Sequence, residues 1–189
     1  DGHGVIQSRV FSDEGEIKAV RLQNLVSLDR VPDDSGRIEV HTRELQITDG
    51  AIGSVTQGAG RGADVSVVAD TIRVASTGTP GATGEVVTGQ ISTITQRSDF
   101  MGFELNGGQG GDLTIHAGSE EQPGLVELTG GGQIRAVTRS DSDAGNLELT
   151  VDGGSLTARG AFEFEDSAGE MRTVPSGVFS RSEGEALGD

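Results

Sequence analysis

Gly50-Ala51-Ile52-Gly53-Ser54-Val55-Thr56-Gln57 returns as Gly89-Gln90-Ile91-Ser92-Thr93-Ile94-Thr95-Gln96, and again as Gly132-Gln133-Ile134-Arg135-Ala136-Val137-Thr138-Arg139. An octapeptide that recurs this way marks a repeat architecture. Working outward from it, a second pattern is a Gly or Ala followed by alternating apolar residues. It reads Gly36-Arg37-Ile38-Glu39-Val40, Ala63-Asp64-Val65-Ser66-Val67, Gly111-Asp112-Leu113-Thr114-Ile115 and Gly145-Asn146-Leu147-Glu148-Leu149, with a weaker copy at Gly15-Glu16-Ile17-Lys18-Ala19. A third, shorter pattern stands between the two: Leu45-Gln46-Ile47, Ile72-Arg73-Val74, Val126-Glu127-Leu128 and Leu156-Thr157-Ala158, with Val26-Ser27-Leu28 read as its first member. The order is always second pattern, third pattern, octapeptide.

Alternation with a period of two makes each pattern a strand with one buried face. No stretch has sustained helical spacing. Three strand types returning in one order predict an all-β fold of stacked coils: a parallel β-helix (solenoid) with three short strands per coil. An antiparallel sandwich would not account for that order. A single coil has too few apolar residues to bury them alone. Stacking coils about 4.8 Å apart would align Ile38, Val65, Leu113 and Leu147 in one buried row. Gly at the corners permits positive φ, and Asp49 and Asn146 are placed for similar work. Roughly four to five coils give a rod about 20–25 Å long. The chain reads as a single segment, with an irregular first coil over 1–34 and regular coils over 35–189. Loop insertions rich in turn residues fall at 76–88, 97–110, 118–124 and 159–176. The sequence opens at Asp1 without Met and closes on Gly188-Asp189, and is read as a piece of a longer chain.

Composition narrows the function. Gly supplies 31 of the 189 residues, and Phe, at six, is the only aromatic. The core must therefore come from Val, Ile, Leu and Ala. Acids number 30 against 14 bases, a formal charge of −16. A surface this acidic disfavours nucleic acid, whose phosphates call for Lys and Arg, and anionic membranes. The bases are thirteen Arg and a single Lys, Lys18. With no run of eighteen apolar residues there is no helical membrane span. With no Cys, neither a disulfide framework nor cysteine chemistry is open to the chain.

The units resemble those of the filamentous haemagglutinin family, large exoproteins that Gram-negative bacteria export by two-partner secretion. The resemblance rests on Gly110-Gly111-Asp112-Leu113-Thr114-Ile115, Gly131-Gly132-Gln133-Ile134-Arg135-Ala136, Ala144-Gly145-Asn146-Leu147-Glu148-Leu149 and Ser176-Gly177-Val178-Phe179-Ser180, and spans roughly Ser35 to Asp189. It implies a right-handed parallel β-helix, secreted or held at the cell surface against the outer membrane. It also implies a role in adhesion, aggregation or display. Partners would be adjacent coils or domains of the same polypeptide, and glycans or proteins of a host or neighbouring cell. The Asn-Pro-Asn motifs of the family's secretion domain are missing, since Leu25 follows Asn24, so the segment is more like the repetitive shaft. The absence of Cys agrees with passage through an oxidising periplasm.

Candidate chemistry is sparse. Gly107-Gly108-Gln109-Gly110-Gly111-Asp112-Leu113 partly matches a calcium-binding nonapeptide, but Gly58-Ala59-Gly60-Arg61-Gly62-Ala63-Asp64 is a poor second copy. It reads as a corner before a strand. His41 and His116 take equivalent positions with Val68 between them. That spacing, roughly 9–10 Å, is too wide for one ion with ligands near about 2.1 Å. Asp33-Asp34, Glu120-Glu121 and Asp141-Ser142-Asp143 fall in turns. Converging on one groove, such loop carboxylates could serve a β-helix polysaccharide lyase or hydrolase, which is the alternative function. No catalytic, cofactor or metal residue is assigned. The one candidate contact surface is two aromatic insertions, Phe100, Met101 and Phe103 in the first and Phe162 and Phe164 in the second. They would either present aromatics to a ligand such as a glycan or fold back to cover a sheet edge or groove. Phe11 and Phe179 are read as octapeptide-like positions.

Overall fold

In a computed structural model of the chain, the described residues are 7–12, 15–16, 20–25, 37–57, 61–78, 88–96, 98–100, 103–105, 108–139, 143–165 and 169–182. They form strands and turns, with no helix among them. In chain order the strands are β1 (Gln7–Ser12), β2 (Gly15–Glu16), β3 (Val20–Leu25), β4 (Arg37–Thr48), β5 (Ala51–Gln57) and β6 (Asp64–Ala75). Next come β7 (Gln90–Gln96), β8 (Ser98–Phe100), β9 (Phe103–Leu105), β10 (Leu113–Ala117), β11 (Leu125–Thr129) and β12 (Gln133–Arg139). The last are β13 (Leu147–Val151), β14 (Ser155–Arg159), β15 (Ala161–Glu165), β16 (Met171–Pro175) and β17 (Gly177–Ser182).

The pairing is parallel except in two hairpins. One sheet runs β1-β4-β6-β10-β13, with β2, β11 and β14 paired alongside; the other runs β17-β12-β7-β5-β3. The repeats set the register. Ile38 lies beside Val65, Val65 beside Leu113, and Leu113 beside Leu147, the row expected from sequence. Ile52, Ile91, Ile134 and Val178 form the matching row of the second sheet. Leu45, Ile72, Val126 and Leu156 form a third. The corners stay in register too: Gly62 N–H donates to Gln109 O at 2.8 Å and Gly110 N–H to Asp143 O at 2.8 Å. Among the described residues, strand ladders and corner bonds thus pair backbone groups between successive repeats, as burial of a backbone requires.

The core is aliphatic, as the scarcity of aromatics demands. Ile38, Val40, Leu45, Ile47, Ile52, Val65, Val67, Ile72, Val74, Ile91, Leu113, Ile115, Leu128 and Ile134 close one continuous cluster, on which Leu147, Leu149, Val151 and Val178 rest half-buried. Parallel strands buried on both faces lose the simple in–out alternation. β7 shows this: residues 91–95 are all buried. Its inner face carries a polar row, Thr56, Thr95 and Thr138, sealed in the interior.

Two sequence expectations change. The second and third patterns were expected as separate short strands, yet β4 and β6 each run unbroken through both over 12 residues. Only Arg43 and Asp70 stand between the two halves, too little chain for a turn. The halves separate where 118–124 divides β10 from β11 and 152–154 divides β13 from β14. The first repeat is also shifted by one strand place. Gly15 and Glu16 pair with Leu45 and Gln46, so they hold the third-pattern place. Val20–Leu25 pairs with β5 and holds the octapeptide place. Phe11 pairs with His41 and so does not hold an octapeptide position. Ser8, which takes the register of Ile38, hides the alternation that would have revealed β1. Val26-Ser27-Leu28 lies outside the described residues.

Candidate functional site

The two aromatic insertions are the antiparallel parts of the molecule. Within 97–110, β8 and β9 form a hairpin in which Phe100 pairs with Phe103; Met101 lies outside the described residues. Within 159–176, β15 and β16 form a longer hairpin, with Phe162 opposite Val174, Phe164 opposite Arg172 and Glu165 opposite Met171. Alternation along β15 sorts its side chains: Ala161, Glu163 and Glu165 are exposed, Phe162 and Phe164 half-buried. The two rings stack, with centroids 5.6 Å apart.

Phe162 is turned back onto the turns at Gly78 and Gly131. A β-carbon on Gly131 would stand 2.5 Å from Phe162 Cδ1, and one on Gly78 would stand 3.3 Å from Phe162 Cδ2. Gly131 also has φ +96°, where a side chain is strained in any case. The hairpin base is held by Ser176 Oγ, which accepts from Gly131 N–H and donates to Arg159 O, both at 2.9 Å. Phe162 therefore covers a corner. The exposed rim of the hairpin belongs to Glu163, Glu165 and Met171, the last 64% exposed.

The glycine-rich corners hold a polar ladder that the nonapeptide-like spacing only hinted at. Asp64, Asp112 and Asn146 each lead a second-pattern strand. Asp64 Oδ1 accepts from Asp112 N–H at 2.9 Å. Asp112 Oδ1 in turn accepts from Asn146 N–H at 2.9 Å and from its Nδ2 at 3.1 Å. Each carboxylate thus caps the same position of the next repeat along the sheet. Between the two acids lies the Arg61 guanidinium, with Nη2 2.9 Å from Asp64 Oδ1 and 3.0 Å from Asp112 Oδ2. A second ladder crosses three strands, β4, β6 and β11: Arg73 bonds Glu127 through Nε at 2.8 Å and Glu44 through Nη1. Position could have found part of both, because Asp64, Asp112 and Asn146 precede the paired Val65, Leu113 and Leu147, and Arg73 pairs with Glu127; Glu44 is offset, lying beside Thr71.

The remaining candidates stay apart. His41 and His116 both pair with Val68, from opposite sides, so one strand separates them as expected. His116 Nε2 lies 2.6 Å from Asp152 Oδ2. Glu120 and Glu121 are exposed in the 118–124 turn, and Asp143 is exposed; Asp33, Asp34 and Asp141 lie outside the described residues. Among the described residues no three or more His, Asp or Glu side chains converge as a metal site would need. No family model, curated protein or solved structure matches this chain.

Proposed function

We propose that this chain is a coil stack of a right-handed parallel β-helix, and that it serves as a shaft segment of a large exported protein of the filamentous haemagglutinin type. It works by stiffness and display, supporting adhesion or aggregation at the cell surface or in the medium, with no chemistry of its own. The observation that carries the reading is the shared parallel register in all three strand places, corners included. Such a ladder resists bending because every coil is bonded and packed along its length. The half-buried state of Leu147, Leu149, Val151 and Val178 adds support, since a further coil would close those rows. The antiparallel hairpins supply the parts that differ from coil to coil, the usual place for partner contacts on a solenoid.

The test is the size of the native polypeptide. An antibody raised against this chain is used on washed cells and culture medium, read on a denaturing gel. We expect a band far above the 19.4 kDa of this chain, on the surface or released. A lone band at that mass would overturn the shaft reading and turn attention to polysaccharide cleavage.

A further inference from the structure

Both parallel sheets begin on the first strands of the chain and end on its last ones. Among the described residues, β13, β14 and β17 each pair on one side only, with β10, β11 and β12. At the opposite edges, β1 and β2 pair only with β4, and β3 only with β5. An edge strand presents a row of N–H and C=O groups to which another strand can bond. The late edge is apolar as well. Leu147, Leu149, Val151 and Val178 are half-buried there, and Leu156 is 45% exposed.

The register runs unbroken from one edge to the other, so each late-edge residue has a counterpart on the early edge. Arg9, Glu39, Ser66, Thr114 and Glu148 hold one place of the first sheet. Val10, Val40, Val67, Ile115 and Leu149 hold another. In the second sheet Val20, Ile52, Ile91, Ile134 and Val178 share a place. A parallel copy of the early edge, set one strand spacing of about 4.8 Å beyond the late edge, would bring Val10 beside Leu149 and Val20 beside Val178. It would also bring Arg9 beside Glu148, which is exposed. Opposite charges facing one another on adjacent strands attract. Leu156 gains least, since its counterpart is Gly15.

We propose that the edge of β13, β14 and β17 binds the edge of β1, β2 and β3 of a second copy of this chain, head to tail, with the parallel register continued across the junction. The new contact extends both sheets at once, supplies each edge strand with a second partner, and closes the apolar rows with Val10 and Val20. A two-fold pair formed through β13 does less. It sets β13 antiparallel to itself, gives Glu148 no arginine of β1, and leaves the edges of β1 and β3 open. A head-to-tail contact uses two different surfaces and leaves one of each free at the ends, so further copies add in a row. The inference rests on the matching edges, not on the length of the native polypeptide.

The test uses the 189-residue chain. Sedimentation velocity over a series of concentrations is expected to show an open-ended set of oligomers. Glu148→Arg, which sets like charge against Arg9, should weaken the association by about fivefold or more. The chain has no Cys, so introduced thiols report the geometry directly. A Glu148→Cys chain mixed with an Arg9→Cys chain under mild oxidation should give mixed disulfide dimers faster than either chain gives dimers alone. Adjacent strands bring the two positions within the Cα separation of about 4.4–6.8 Å that a disulfide needs. A monomer at every concentration, a closed dimer, undiminished association of Glu148→Arg, or Glu148→Cys chains linking to themselves as fast as to Arg9→Cys chains would each overturn the proposal. The mass of the native polypeptide does not bear on these results, so this inference and the shaft reading fail separately.

Discussion

Leu113 and Leu147 are the same residue in the same row, one coil apart, and their surroundings differ. Leu113 lies between Val65 and Leu147 and is fully buried, at 0% exposure. Leu147 has Leu113 on one side and is only half-buried. The contrast extends to whole strands. β10 seals Leu113, Ile115 and Ala117, whereas no residue of β13 is sealed. A strand in these parallel sheets is sealed only where it has a paired strand on each side, so the interface between paired strands carries much of the burial.

The largest expected effect tests that contrast directly. Leu113→Ala should lose about 3 kcal/mol in urea unfolding, from lost transfer energy plus the cavity left between two coils. Leu147→Ala should lose only about 1 kcal/mol, because part of that side chain is already in water. Equal losses would mean that the end coil is as well supported as the middle one.

Gly131→Ala comes next, at about 1–3 kcal/mol, because φ +96° strains a side chain and the new methyl meets the Phe162 ring. In a Phe162→Ala background the clash with the ring should go, leaving the backbone strain and the close approach to Val174 O at 2.9 Å. A double-mutant cycle with no coupling would show that the hairpin does not rest on this corner.

Asp112→Ala removes the cap that joins the coil of Leu113 to the coil of Leu147, and one of the two acids that face Arg61. We expect a loss of about 1–2 kcal/mol, with amide hydrogen exchange at Asn146 rising first because, among the described residues, β13 is paired on one side. Exchange that rises uniformly along the chain would contradict that ranking.

Thr95→Val should act in the opposite direction. Thr95 is fully buried and its Oγ1 has no hydrogen-bond partner among the described residues, so a methyl of similar size should stabilise by up to about 1 kcal/mol. A loss on that scale would show that the hydroxyl does bond inside the coil.

Much of the fold was legible in the repeats. Ile38, Val65, Leu113 and Leu147 could be put in one row because each follows a turn residue and a polar one in the same short phrase. The first coil was misaligned because Ser8 replaces the apolar residue that carries the phrase elsewhere. From sequence the hairpin at 161–175 reads as a loop, because its Phe–Glu alternation is short and enclosed by Gly and Ser. The contact surface was the least legible part. Phe162 could be recognised as a candidate, but its turn back onto Gly131 depends on residues thirty positions away.

What the sequence alone determined is the order of strands and the residues that share a row. Period and spacing are local, and parallel stacking converts equal spacing into adjacency. Only the tertiary structure decided which members of a row are sealed, that Arg61 lies between Asp64 and Asp112, and that Phe162 turns back onto Gly131. Those outcomes depend on what neighbouring repeats present to one another, and no single stretch of chain contains that information.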